Sequence, residues 1–373
     1  MSEFSASLHG GEVLDPASGR RGRFDVAFDG DRVARIAPTI DRARSARAVD
    51  ATGCLVVPGL IDLHSHVFDG IGEGVDADEY CLRRGTTTTV DGGSAGANTL
   101  AAFARMVRGK RCRTLCWLNL STIGQVDLRV GELMMAPWVD VDAAVRAAEA
   151  NREVVIGFKA RLSTYVCGGT ALPVLRAVGE AAERTGLPFM VHIGDSGEPL
   201  PLILPYLRAG DVVTHTLTGR KYGFLGPDGK ILPEAFEARA RGVLFDAARG
   251  RNHVSFPVMQ AAVEQGFVPD SLATDVTIAT GADPEFGLPL MMTHLLSFGV
   301  PLNDVVARVT LNPARALRRD DLGRLDEGGI GDATVLKLVD GAFTIQDVDG
   351  RERTVERRVV AVGAVRAGEY VAA

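Results

Sequence analysis

The chain has 373 residues, 46% hydrophobic and 24% charged, with 41 basic against 47 acidic side chains and a net charge of −6. That balance is the composition of a folded protein with a sizeable core, and it excludes a disordered chain. No basic run is dense enough to follow a phosphate backbone and no 18-residue apolar span is present, so neither nucleic acid nor membrane is expected as a partner. The opening Met-Ser-Glu-Phe-Ser-Ala-Ser lacks the basic and apolar regions of a signal peptide, which points to the cytoplasm. Five cysteines, Cys54, Cys81, Cys112, Cys116 and Cys167, are odd in number and scattered without a Cys-x-x-Cys spacing, so reduced, mostly buried thiols are expected.

Residues 1–57 alternate apolar and polar positions around Gly and Asp turns, with Asp29-Gly30 as a hairpin signal between two short strand-like runs. Residues 313–373 behave the same way, with short strands separated by Asp340-Gly341 and Asp349-Gly350. The two ends are expected to meet as one small β-sandwich. Between them, residues 58–312 match the roughly 250 residues of a (β/α)8 TIM barrel, an α/β fold. They parse as eight apolar strands beginning at Leu60, Thr86, Arg113, Val154, Pro188, Asp211, Gly242 and Ser271. Amphipathic stretches such as those from Val141 and Leu172 separate them. An open dinucleotide-binding sheet would want Gly-x-Gly-x-x-Gly after the first strand, and Asp91-Gly-Gly-Ser-Ala-Gly lacks that spacing.

The first strand carries the leading chemical signal. In Pro58-Gly-Leu-Ile-Asp-Leu-His-Ser-His, side-chain alternation puts His64 and His66 on one face with Asp62, so two imidazole nitrogens converge beyond the strand. Catalytic groups in such barrels sit at the carboxyl rim. There the other strand ends supply Lys159, His192, His215 and Asp275. Six such groups suffice for two divalent cations. Imidazole and carboxylate ligands suit zinc. The remaining histidines, His9, His253 and His294, fall in the small domain, a loop and a helix, where solvation or packing is expected. Lys159 has two readings. Desolvated among cation ligands, its neutral amine could take up carbon dioxide and become a bridging carbamate; otherwise it snorkels to solvent or pairs with Asp195 or Asp275.

With Asn312-Pro-Ala and Leu322-Gly-Arg-Leu-Asp-Glu-Gly-Gly-Ile-Gly-Asp-Ala downstream, the chain resembles the amidohydrolase superfamily over essentially its whole length. The likeness is to its binuclear-metal branch, with dihydroorotase, isoaspartyl dipeptidase and related deacetylases. Gly157-Phe-Lys-Ala-Arg and Thr214-His-Thr-Leu-Thr-Gly-Arg-Lys are similar to its dihydroorotase-like deacetylases. The resemblance implies that His64, His66 and Asp275 hold a buried ion and His192 and His215 a more exposed one. N-carboxylated Lys159 and a hydroxide would bridge the two ions, with Asp275 moving the proton. Where branch relatives often carry a Gly-His-Gly-type turn after the seventh strand, this chain reads Ala248-Arg-Gly-Arg-Asn-His.

Arg161, two residues past Lys159 on the same face, is the candidate clamp for a substrate carboxylate; the alternatives are a solvated arginine or an ion pair with Asp195. Tyr165 and Arg220 lie on neighbouring loops. The expected reaction is deacylation of a small acidic N-acyl or O-acyl substrate. A cyclic-amide hydrolase is the alternative among enzymes, and a catalytically silent assembly subunit the alternative of another class. A homo-oligomer is left open.

Overall fold

The structure, a computed structural model, describes residues 2–169 and 171–373. Eight strands pair in parallel and in sequence order: Leu60–Ser65, Thr86–Asp91, Arg113–Asn119, Val155–Arg161, Phe189–His192, Val212–Thr214, Leu244–Ala248 and Ser271–Ala273. The ring closes at the carboxyl rim. There Asp275 N donates to His64 O at 2.7 Å and His66 N donates to Val276 O at 2.9 Å. The same two bonds therefore close the barrel and fix three of the candidate ligands relative to one another.

The strands are buried on both faces because helices cover the outside. The helix Leu172–Thr185 shows how. It starts with a proline in its first turn, stops at Gly186 in the left-handed region (φ 69°), and buries Val174, Leu175, Val178, Ala181 and Ala182 along one stripe. Burying a Val or Leu of that kind contributes about 1.5–3 kcal/mol. Inside the barrel, Ile61, Leu63, Val90, Leu115, Trp117 and Met190 form an apolar plug, and Trp117 Nε1 donates to Leu63 O at 3.1 Å. A filled interior leaves only the rim for chemistry. Asn312 has a structural role in that frame, donating through Nδ2 to Asp270 O at 2.8 Å from the helix Leu311–Ala316.

Both chain ends build the smaller unit. One sheet orders Arg32–Ala37, Asp25–Asp29, Ala6–His9 and Ala48–Asp50. The other orders Glu369–Ala372, Glu352–Arg366, Ala333–Gln346, Leu55–Pro58, Glu12–Asp15 and Arg20–Arg23. Leu8, Val13, Val26, Phe28, Val56, Val335 and Val365 share one core between them. The Asp29-Gly30 hairpin forms as expected, with Gly30 at φ 53°. Asp340-Gly341 does not end a strand. Ala333–Gln346 runs through it with a register shift between Asp340 and Phe343, because the long hairpin lies against the helix Leu288–Ser297, where Val359 N donates to Thr293 Oγ1 at 3.0 Å. No helix of the described residues is long and apolar enough to cross a membrane. All five cysteines are free.

Candidate metal centre

The six rim side chains meet. His64 Nε2 and His66 Nε2 lie 3.6 and 3.2 Å from Asp275 Oδ1, and Lys159 Nζ lies 3.0 Å from His64 Nε2. The His215 ring sits 5.1 Å from that of His64 and 4.3 Å from that of His192, centroid to centroid. Two of the positions carry strain. His215 (φ 70°) and Asp275 (φ 53°) occupy the left-handed region, which costs a non-glycine residue about 1–2 kcal/mol. Strain of that size at two ligands persists only where the surroundings over-determine the conformation.

The outer nitrogens of His64, His66 and His215 each have a partner, and that fixes where the inner ones point. Thr214 Oγ1 donates to Asp246 Oδ2 at 2.7 Å, so it accepts from His64 Nδ1 at 3.0 Å. Ser94 Oγ lies 2.9 Å from His66 Nδ1. His215 Nδ1 donates to the Ala248 carbonyl at 3.0 Å. With Nδ1 protonated, Nε2 of His64 and His215 presents a lone pair inward. For His215 that atom is buried and has no hydrogen-bond partner among the described residues. A buried, unpartnered lone pair beside a carboxylate and further imidazoles is the vacancy a divalent cation satisfies. The residues present fit such an ion.

Electrostatics agree. Burial, reinforced by neighbouring cationic groups, lowers His64, His192 and His215 well below the usual imidazole range, so they are neutral, the form that can ligate a cation. Burial alone would raise Asp275, but His64, His66 and His215 hold it below the ordinary carboxylate range. Lys159 is 1% exposed, and burial brings its amine down to about 7. It points inward beside His64 and Met190 Sδ at 3.3 Å rather than out to solvent. The snorkelling alternative is thereby excluded.

The Asp91-Gly92-Gly93-Ser94 turn, which holds no nucleotide signature, packs the site. Asp91 accepts from the backbone of Val67, Gly93 and Ser94. A Cβ on Gly92 would come within 2.2 Å of His64 Cδ2. Glycine there lets the backbone approach the imidazole edge-on.

Two residues of the site were not anticipated. His253 is not a solvated loop histidine. Its ring stacks on His215 at 3.8 Å and 27°, sits edge-on to His192 at 4.9 Å, and lines the same pocket. The second is Glu132, buried at 1% exposure, whose two oxygens accept from Arg161 Nε at 2.7 Å and Nη2 at 2.6 Å. Arg161 therefore pairs with Glu132 rather than Asp195, and its two-pronged face is occupied; only Nη1 lacks a hydrogen bond among the described residues. Tyr165 is exposed and lines the pocket, whereas Arg220 is an exposed loop residue beside Gly194 and is not in the pocket wall. A larger cleft of about 500 Å³ between the helix Leu288–Ser297 and the long hairpin gathers no imidazoles, so the chemistry is assigned to the smaller rim pocket.

Residues 55–365 match the amidohydrolase family. A deacetylase of Agrobacterium fabrum is 31% identical over 357 residues, covering 93% of this chain and 88% of its own. A crystal structure of a dihydroorotase superposes with a TM-score of 0.91 at 30% identity, covering 99% of this chain and 97% of its own. A crystal structure of an adenine deaminase does so with a TM-score of 0.91 at 25% identity, covering 99% and 100%.

Proposed function

This chain belongs to the amidohydrolase family, and from that premise we propose that it is a binuclear metal-dependent deacetylase of small acidic N-acyl or O-acyl substrates. The observation that carries the reading is the inward convergence of His64, His66, His192, His215, Asp275 and Lys159, with His215 Nε2 buried and unpartnered. His64, His66 and Asp275 would hold an inner ion, His192 and His215 an outer one, and Lys159, N-carboxylated, would be shared. Two divalent cations, zinc by ligand type, supply Lewis acidity there, polarising the acyl carbonyl and lowering the pKa of the attacking water.

The chain's own residues do the rest. Asp275, ionised at neutral pH, takes the proton of the attacking water and delivers it to the departing amine or alkoxide. An amine needs that proton to leave; an alkoxide needs it less. Arg161, held rigid by Glu132, offers Nη1 as a single charged donor to a substrate carboxylate. Tyr165 borders the same opening and Arg220 the loop beyond. The Asp91 turn and Thr214 hold the imidazoles in place so that no reorganisation is needed at the reaction.

The dihydroorotase likeness favours one further reading, hydrolysis of a cyclic amide by the same ions. A panel of N-acetyl amino acids, O-acetyl hydroxy acids, dipeptides and cyclic ureides, offered to metal-replete protein, separates the two. Turnover confined to the acyl compounds supports the deacetylase; turnover confined to the ureides replaces it.

A further inference from the structure

We propose that the cleft between the helix Leu288–Ser297 and the long hairpin is a second binding site, for a small organic anion with an apolar body, its anionic group held by Arg84 and Arg249. The inference does not depend on the two-ion reading. The cleft encloses about 500 Å³, within the roughly 300–1,000 Å³ of small-molecule sites, whereas the rim pocket offers about 80 Å³. No imidazole or thiol lines it, so it is suited to holding a molecule rather than transforming one.

The charge of the ligand follows from how the four arginines of the cleft are paired. Arg83 lies 3.2 Å from Glu79, and Arg358 is paired with Glu285. Arg84 and Arg249 have no carboxylate within 4.0 Å among the described residues, although Asp283 and the carboxylate of Ala373 also border the cleft. Arg84 donates instead to three backbone carbonyls, those of Asp283 at 3.0 Å, Gly281 at 2.8 Å and Phe286. Carbonyls orient a guanidinium without neutralising it. Arg249 is less well satisfied. Its two bonds, to Gly250 O at 3.3 Å and Gln346 O at 3.4 Å, are long, and its Nε is buried without a partner. Its Cζ sits 5.3 Å from the centroid of the Phe286 ring, so both heads meet at that residue. Burial pulls Arg249 below the usual arginine range, and Asp283 and Asp347 offset this only from a distance. A guanidinium withdrawn from water without a counter-charge gains by binding an anion. The rest of the wall, with Leu290, Phe343, Ile345 and Val359, suits an apolar body.

The cleft also reaches the metal site through one turn. Arg249 N donates to Ala273 O at 3.3 Å and Gly250 N to Thr274 O at 2.9 Å. Gly250 lies so close to Asp275 that a Cβ there would stand 2.2 Å from Oδ2, and Arg251, Asn252 and His253 line the rim pocket. An anion that draws on Arg249 therefore pulls on the segment that backs Asp275, the physical link that coupling between two sites requires.

The test uses anilinonaphthalene sulfonate as the apolar anion and phenylnaphthylamine, the same rings without the sulfonate, as its uncharged control. Binding is read by fluorescence and calorimetry. Wild type should bind the sulfonate saturably, one per chain, and the uncharged compound at least roughly tenfold more weakly. Arg249→Leu should weaken sulfonate binding roughly 10- to 150-fold, the worth of a charged hydrogen bond, while sparing the uncharged compound. Val360→Trp, which fills the cleft from its hairpin wall, should abolish both, and it decides the matter if Arg249→Leu fails to fold. Equal affinity for the two probes, or sulfonate binding unchanged in folded Arg249→Leu or Val360→Trp, overturns the site. In wild type the sulfonate should slow amide hydrogen exchange across residues 249–253. Unchanged exchange there under saturating sulfonate would overturn the link to Asp275.

Discussion

Replacing Arg161 with methionine has two separable consequences. The Arg161–Glu132 pair is bidentate and nearly sealed from water, with the two residues 5% and 1% exposed. Removing the guanidinium strands a buried carboxylate, which costs about 3–5 kcal/mol, most of it the desolvation of the partner left behind. Arg161→Met should therefore lower the unfolding free energy of metal-stripped protein by that amount, read as a lower urea midpoint at unchanged slope. The double variant Arg161→Met/Glu132→Met, which buries two apolar side chains instead, should recover most of the loss. Substrate recognition should not recover with it. A charged hydrogen bond from Nη1 to a substrate carboxylate is worth about 1.5–3 kcal/mol, or roughly 10- to 150-fold in KM. Both variants should show that rise for N-acetyl amino acids and little change for their neutral amides. A single variant that loses less than about 1 kcal/mol refutes the buried-pair argument. Equal KM changes for acidic and neutral substrates in the double variant remove Arg161 from substrate recognition.

Three further outcomes follow from the site's geometry. Thr214→Val breaks the chain from His64 Nδ1 through Thr214 to Asp246, so inner-ion affinity measured by chelator competition should fall about 10–100-fold; unchanged affinity would mean that the hydroxyl does not orient His64. Gly250→Ala places a Cβ 2.2 Å from Asp275 Oδ2 at φ +48°, whereas Gly299→Ala meets nothing within 4 Å at φ +89°. Both should lose about 1–2 kcal/mol of stability, but only Gly250→Ala should lose kcat, and equal kcat values would show that Asp275 does not need that clearance. Finally, burial brings the Lys159 amine to about 7, so below that pH it is protonated and cannot attack carbon dioxide, and above it the lone pair is free. At fixed dissolved carbon dioxide, reconstitution of stripped protein should accelerate as pH rises through about 7 and then level off; a midpoint near the ordinary lysine value of 10.5 would contradict a buried amine.

The barrel was legible because its strands are short apolar runs between turn residues, and the rim groups because they stand at or just past strand ends. His215 and Asp275 lie one and two residues past their strands in left-handed backbone, and the register shifts between Asp62 and Ser65, so alternation alone does not aim these groups. Lys159 and His192 needed no loop geometry to be placed. His253 and Glu132 did. Glu132 lies in the segment after the third strand, whose path is set by contacts such as Leu133 N to Val166 O at 3.1 Å. His253 follows an irregular turn steered by Leu217 and Asp347, through Ser255 N and Phe256 N. Neither has a periodicity to read. The one signal available was a histidine close after a rim strand in a chain with only seven. At Asp340-Gly341 a strong local turn signal gave way to packing of a long hairpin on a helix, the usual way in which tertiary contacts override propensity.

The account stands on a lysine made anionic by carbon dioxide and shared between two cations. Native mass spectrometry of protein reconstituted with zinc and bicarbonate reads both at once. The expected species is the chain plus one carbon dioxide plus about two divalent ions, with the carbon dioxide adduct lost and ion uptake reduced in Lys159→Met. A wild type carrying at most one ion and no adduct, or an adduct that survives Lys159→Met, would contradict it.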